Sequence, residues 1–172
     1  NLFRRLVAEG ALTISFIPVY TETRINNGEE EAQKLAVKVM TVQAIVIFII
    51  IAAGVILAPQ FMYFFFGKGD SPEVFNISIN LTRIMFPYLF FVGFVAFAMG
   101  YLNCHGRFFA PAFAPVLLNI GMITGIVLLS RLFDVPVYGA AIGVILGGAL
   151  QLALQIPYMI KEGFRFGISV DF

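Results

Sequence analysis

The chain has 172 residues, 60% of them hydrophobic and 12% charged, with a formal net charge of +1. Soluble domains average about half apolar and a quarter charged, so this composition excludes one. Near-neutral charge also excludes the basic patch that a nucleic-acid partner needs, and the lone Cys104 excludes an internal disulfide.

Asn1 to Tyr20, NLFRRLVAEGALTISFIPVY, reads as a first membrane helix that breaks near Pro18. At helical spacing Arg4, Ala8, Ala11 and Ser15 share one face. The face is narrow, because three of its members are small, and it carries a guanidinium at one end. Arg5 and Glu9 lie one turn apart on the neighbouring face and are spaced to pair. Ionisable groups in a membrane-length apolar segment are costly and usually face a protein interior or a wet cavity. The pattern suits a helix that lines a cavity and offers positive charge to an anion. It equally suits an interfacial helix end whose arginines reach out to water, and these residues leave both readings open. No Met start and no signal-peptide pattern precede the segment, so Asn1 reads as a point within a longer chain.

Thr21 to Lys38 is polar, with Asn27-Gly28 as a turn signal and Glu29, Glu30 and Glu31 ahead of Lys34 and Lys38. We read it as a solvated loop leading into a helix and assign it no chemistry. Val39 to Ala58 is an uncharged run of about twenty residues, enough to cross roughly 30 Å of hydrocarbon. Residues 60–79 read as a connection, with the aromatic run Phe61–Phe66 at the interface and a turn around Gly67 and Pro72. A second span follows over 80–102, bent at Pro87, with Arg83 as an interfacial anchor.

The polar link Asn103–Ala110 turns at Gly106. A histidine there, His105, is a possible proton carrier, but the plainer reading is a solvated loop side chain; Arg107 reads as a topology determinant. The third span, 111–131, starts with Pro111 in its first turn and carries Asn119 and the small pair Gly121 and Gly125. The fourth, 137–161, has Gly139, Gly143 and Gly147 on one face, which lets another backbone approach closely. Further along it, Gln151 and Gln155 repeat on one face, placed to bond a neighbouring helix or to face a cavity.

The expected fold is therefore all-α: a polytopic transmembrane bundle of about five helices, near 1–20, 36–58, 80–102, 111–131 and 137–161. The connections rich in Lys and Arg (Arg24, Lys34, Lys38, Arg107, Lys161, Arg165) belong on the cytoplasmic side by the positive-inside rule. No metal-binding or cofactor pattern is present, and no cofactor is expected.

NLFRRLVAEGALTISFIPVYTE resembles the second transmembrane helix of the MurJ (MviN) lipid II flippases, in the MOP transporter superfamily. RIMFPYLFFVGFVAFAMGYLNCHGRFFAPAFAPVLLNIGMI resembles the same family's fourth helix, short cytoplasmic loop and fifth helix. Within it Arg83, Phe86-Pro87-Tyr88, Asn103, Arg107-Phe108, Pro111-Ala112, Pro115 and Asn119 fall at the family's spacing; Gln151, Gln155 and Pro157 resemble the sixth helix. The resemblance implies part of the N-terminal lobe of a fourteen-helix exporter of the bacterial inner membrane. Such an exporter flips the undecaprenyl-diphosphate-linked peptidoglycan precursor lipid II from the cytoplasmic to the outer leaflet by alternating access. It implies that Arg4 is a cavity residue required for function, with Arg5 and Glu9 in supporting roles. Expected partners are lipid II or a similar polyprenyl-diphosphate lipid, membrane lipids, and the remainder of the transporter beyond the chain. The expectation is a transporter and not an enzyme.

Three rivals remain at this stage. Another MOP exporter, of polysaccharide-lipid or drugs, shares the lobe; a cation exporter should prefer acidic cavity residues, whereas the embedded charges here are chiefly basic. A membrane enzyme acting on polyprenyl phosphates needs clustered carboxylates or histidines, and the embedded segments offer Glu9. A non-transporting helical scaffold would carry the arginines for structure only.

Overall fold

The computed structural model describes residues 11–67 and 71–169. Within them the elements are α1 (Ala11–Asn27), α2 (Glu29–Ile56), α3 (Ala58–Phe66), α4 (Pro72–Met85), α5 (Tyr88–Cys104), α6 (Phe109–Val127), a 3-10 turn (Leu129–Leu132) and α7 (Val137–Lys161). Four stretches among the described residues are long and apolar enough to cross a membrane: Glu29–Ile56, Pro72–Cys104, Phe109–Leu132 and Val137–Lys161. The chain is a polytopic all-α membrane protein. Only 17% of the most apolar window of the first stretch and 33% of that of the last are buried within the chain. Side chains such as Phe48, Ile49 and Ile123 point outward, the arrangement expected where lipid tails replace water as the solvent.

Several boundaries differ from the sequence expectation, each for a local reason. Pro18 does not end the first helix: α1 continues through it to Asn27. Proline withholds one backbone donor, but Tyr20, just beyond, is fully buried and holds that turn in the bundle. Residues 21–27 are therefore helix and not loop. The reversal is compressed into Gly28, whose φ of +92° suits glycine. α2 begins at once with Glu29, Glu30 and Glu31 in its first turn, where carboxylates oppose the positive end of the helix dipole.

The connection after α2 contains a helix of its own, α3, with Pro59 in its first turn and an aromatic surface. Pro87 does more than bend a single span. Its ring nitrogen cannot donate to the Arg83 carbonyl, and the two bonds that follow, Leu89 to Phe86 and Phe90 to Pro87, are of the shorter i to i−3 kind. The result is two helices, α4 and α5, that meet at Phe86-Pro87.

The glycine faces read from the sequence meet each other. A Cβ built on Gly125 would lie 2.6 Å from Gly143 Cα, and one on Gly143 would lie 2.6 Å from the Gly121 carbonyl oxygen. No side chain fits there, so α6 and α7 pack backbone to backbone. At one end of the bundle, Phe16 and Tyr20 of α1, Ala32, Ala36 and Met40 of α2, Phe97 and Tyr101 of α5, and Met159 and Phe164 at the end of α7 form the main core.

Candidate functional site

The strongest candidates from the sequence, Arg4, Arg5 and Glu9, lie outside the described residues. What the structure does define is the setting of α1, which follows them in the chain. Phe16 and Tyr20, one turn apart, press α1 into the core, whereas Ser15, Pro18 and Val19 are exposed. Phe16 packs on Phe97 with ring centroids 5.4 Å apart, and Tyr20 meets Tyr101 edge-on at 5.5 Å. α1 thus has a bundle face and an open face, and Ser15 belongs to the open one.

Beyond Tyr20 a polar cluster ties α1 to α2 and α5. Arg24 Nε donates to Glu29 Oε2 at 2.6 Å, and the Tyr20 hydroxyl donates to Glu29 Oε1 at 3.5 Å. His105 Nε2 stands 3.5 Å from the same Oε1, while its Nδ1 meets the Tyr101 carbonyl at 2.9 Å. The Tyr101 hydroxyl reaches the Glu162 carbonyl at 3.1 Å and Gln33 Oε1 at 3.4 Å. Arg107 Nε donates to Glu162 Oε1 at 2.7 Å. Eight residues join four helices here: Tyr20, Arg24, Glu29, Gln33, Tyr101, His105, Arg107 and Glu162.

Two sequence readings are corrected by this cluster. His105 is not a solvated loop side chain, because only 4% of that side chain is exposed. Arg107 is more than a topology marker, because it holds the end of α7 through Glu162. The segment carrying Arg24 and Glu29, assigned no chemistry from the sequence, supplies the centre of the cluster. The spacing signal was available: Tyr20 and Arg24, and Tyr101 and His105, each lie one turn apart on a helix.

The remaining candidates separate. Asn119 is exposed on α6. Gln151 is 7% exposed and Gln155 fully buried, both on the face of α7 that carries Gly143 and Gly147 toward its neighbours. Among the described residues neither polar atom of the Gln155 amide has a hydrogen-bond partner. Among the described residues there is no group of three His, Cys, Asp or Glu side chains able to hold a metal ion.

An α-helical, multi-pass bundle with a glycine-tight helix pair and a cross-linked polar end defines a membrane protein built from packed helices, with one helix, α1, turning an open face away from the core. The chain belongs to the lipid II flippase MurJ family, whose model matches residues 1–172. The family is one of flippases. The lipid II flippase MurJ of Burkholderia cenocepacia is 37% identical over 163 residues, covering 94% of this chain and 31% of the relative. The probable lipid II flippase MurJ of Haemophilus influenzae is 37% identical over 172 residues, covering 95% and 34%. That of Treponema pallidum is 31% identical over 176 residues, covering 98% and 32%. The chain spans about a third of the length of these curated relatives.

Proposed function

We propose that residues 1–172 form part of the N-terminal lobe of a lipid II flippase in the bacterial inner membrane. It would carry the undecaprenyl-diphosphate-linked saccharide from the cytoplasmic to the outer leaflet by alternating access. The observation that carries this reading is the family match along the whole chain. The chemistry is translocation and not catalysis: the lipid changes leaflet and no covalent bond is made or broken.

The physical problem is the diphosphate. An isolated charge is very costly to bring into hydrocarbon. Arginine meets that cost well, because its planar fork binds phosphate oxygens in pairs and stays protonated. By sequence spacing Arg4 falls on the face of Ser15, which is open in the structure. Arg5 and Glu9 fall on the face of Phe16 and Tyr20, which is packed. This division supports Arg4 as the group that meets the diphosphate, and Arg5 with Glu9 as a pair that holds the helix and shapes the field. Ser15 continues the Arg4 face. Gln151 and Gln155 serve contact between helices, and Asn119 lies on an open surface of α6.

The end of the bundle with Arg24, Arg107, Lys161 and Arg165 faces the cytoplasm in this reading. The side-chain-free seam between α6 and α7 offers a surface on which helices shift without interlocking knobs, as rocking between states requires. Complementation of a flippase-depleted strain by the full-length protein tests the assignment. Arg4→Lys should complement poorly, because an ammonium is a point charge without the fork. Full complementation by Arg4→Ala would remove Arg4 from the site.

A further inference from the structure

At the end of the bundle opposite the polar cluster, α4 and α7 enclose an open hollow of about 440 Å³ lined by Asn80, Arg83, Ile84, Phe133, Tyr138 and Ile142. Asn80, Arg83 and Ile84 share one face of α4, and Tyr138 and Ile142 share one face of α7. Most of the surface that lines it is apolar, and three of its six lining side chains, Asn80, Arg83 and Tyr138, carry polar groups. We infer that this hollow binds the phosphate headgroup of an anionic phospholipid at the membrane boundary, a site separate from any translocation route and independent of the cargo reading.

Two of the polar side chains, Arg83 and Tyr138, have hydrogens left to donate. Arg83 Nε donates to the Val55 carbonyl at 3.3 Å, which fixes the guanidinium through one of its five N–H groups. No carboxylate pairs with Arg83 among the described residues. The Asn80 amide donates to the Tyr138 hydroxyl oxygen at 3.4 Å, so the hydroxyl hydrogen is directed elsewhere. Asp134 follows Phe133 in the chain but does not line the hollow. A guanidinium edge and a phenol hydroxyl around one opening are the elements of a phosphate site.

The depth fits a headgroup. Val55 is one residue from the end of α2 and Tyr138 one residue into α7, so these groups sit close to the helix ends. Tyrosine and arginine are stable at that level, with their polar tips toward the headgroups. The apolar side chains, Ile84, Phe133 and Ile142, suit the first methylenes of a lipid chain. A free phosphate would leave them unused.

The test uses the full-length protein, delipidated in neutral detergent, and native mass spectrometry. The probes are dioleoylphosphatidylglycerol, dioleoylphosphatidylcholine and inorganic phosphate. One tightly held phosphatidylglycerol is expected in preference to phosphatidylcholine. Arg83→Gln should weaken it about tenfold, the loss of a charge-assisted bond, and Tyr138→Phe should weaken it less. Ile142→Trp, which fills the apolar part and keeps every donor, should also weaken it and serves if Arg83→Gln fails to fold. Unchanged binding in Arg83→Gln and Ile142→Trp, equal retention of the two lipids, or complete displacement by millimolar phosphate would each overturn the proposal.

Discussion

His105 and Glu29 are 76 positions apart in the chain, yet the ring Nε2 of one stands 3.5 Å from the carboxylate Oε1 of the other. The contact joins the start of α2 to the end of α5. The opposite ring nitrogen, Nδ1, meets the Tyr101 carbonyl, which can only accept, so Nδ1 carries a hydrogen. His105→Leu fills similar space but leaves that buried carbonyl unpaired. We expect it to lower the stability of the full-length protein by roughly 1–3 kcal/mol, read as an earlier thermal transition in detergent. An unchanged transition would mean the ring only fills space.

Tyr101 offers a finer test of the same cluster. Tyr101→Phe keeps the ring packing against Tyr20 and Phe164 and removes only the hydroxyl that reaches Glu162 and Gln33. The expected cost is about 1 kcal/mol. A loss as large as that of Tyr101→Ala would assign the hydroxyl more than hydrogen bonding.

Arg24 and Glu29 form the shortest ion pair of the cluster, with side chains 39% and 56% exposed. Exposure lets water and salt screen the pair, so a double-mutant cycle with Arg24→Gln and Glu29→Gln should give a coupling of about 0.2–1 kcal/mol. Glu29 also accepts from Tyr20 and faces His105, so Glu29→Gln alone should destabilise more than Arg24→Gln. The coupling should shrink on raising salt from 0.1 to 1 M, as the Debye length falls from about 10 to about 3 Å.

The α6–α7 seam has little tolerance for added side-chain volume. With Gly143 against Gly121 and Gly125 at 2.6 Å for an added Cβ, Gly143→Ala should cost on the order of 1–3 kcal/mol through overpacking, and Gly143→Leu should prevent normal assembly. Ile126→Leu, at an exposed position on the partner helix α6, is the control and should be silent. Size-exclusion profiles of the full-length protein after a heating series read all three.

The orientation has a direct chemical test. In a Cys104→Ser background of the full-length protein, Asn27→Cys lies in the turn at the end of α1 and Gln60→Cys in α3, both at exposed positions. An impermeant maleimide applied to intact cells should label Gln60→Cys and leave Asn27→Cys unreacted until the membrane is opened. The reverse pattern would invert the bundle.

How much of this was legible beforehand differs by feature. The spans carried by 39–58, 111–131 and 137–161 follow from uncharged length, which the hydrocarbon thickness sets without regard to neighbours. The glycine stripes were legible for the same reason: Gly139, Gly143 and Gly147 repeat on one face whatever lies opposite. The continuation of α1 past Pro18 was not legible, because it depends on Tyr20 finding Tyr101, a contact between distant segments. The burial of His105 depends likewise on Tyr20, Glu29 and Tyr101 converging from three helices. Nor does spacing distinguish Glu29 from Glu30 and Glu31; only the folded reversal at Gly28 aims the first of them at Arg24.

The central proposal is that the Arg4 guanidinium receives the lipid diphosphate. Translocation of lipid II into the opposite leaflet of proteoliposomes by the full-length protein measures it most directly. Arg4→Ala and Arg4→Gln should abolish translocation while Ser15→Ala retains most of it, with equal incorporation of each protein. Translocation by Arg4→Ala at the unaltered rate would contradict the account.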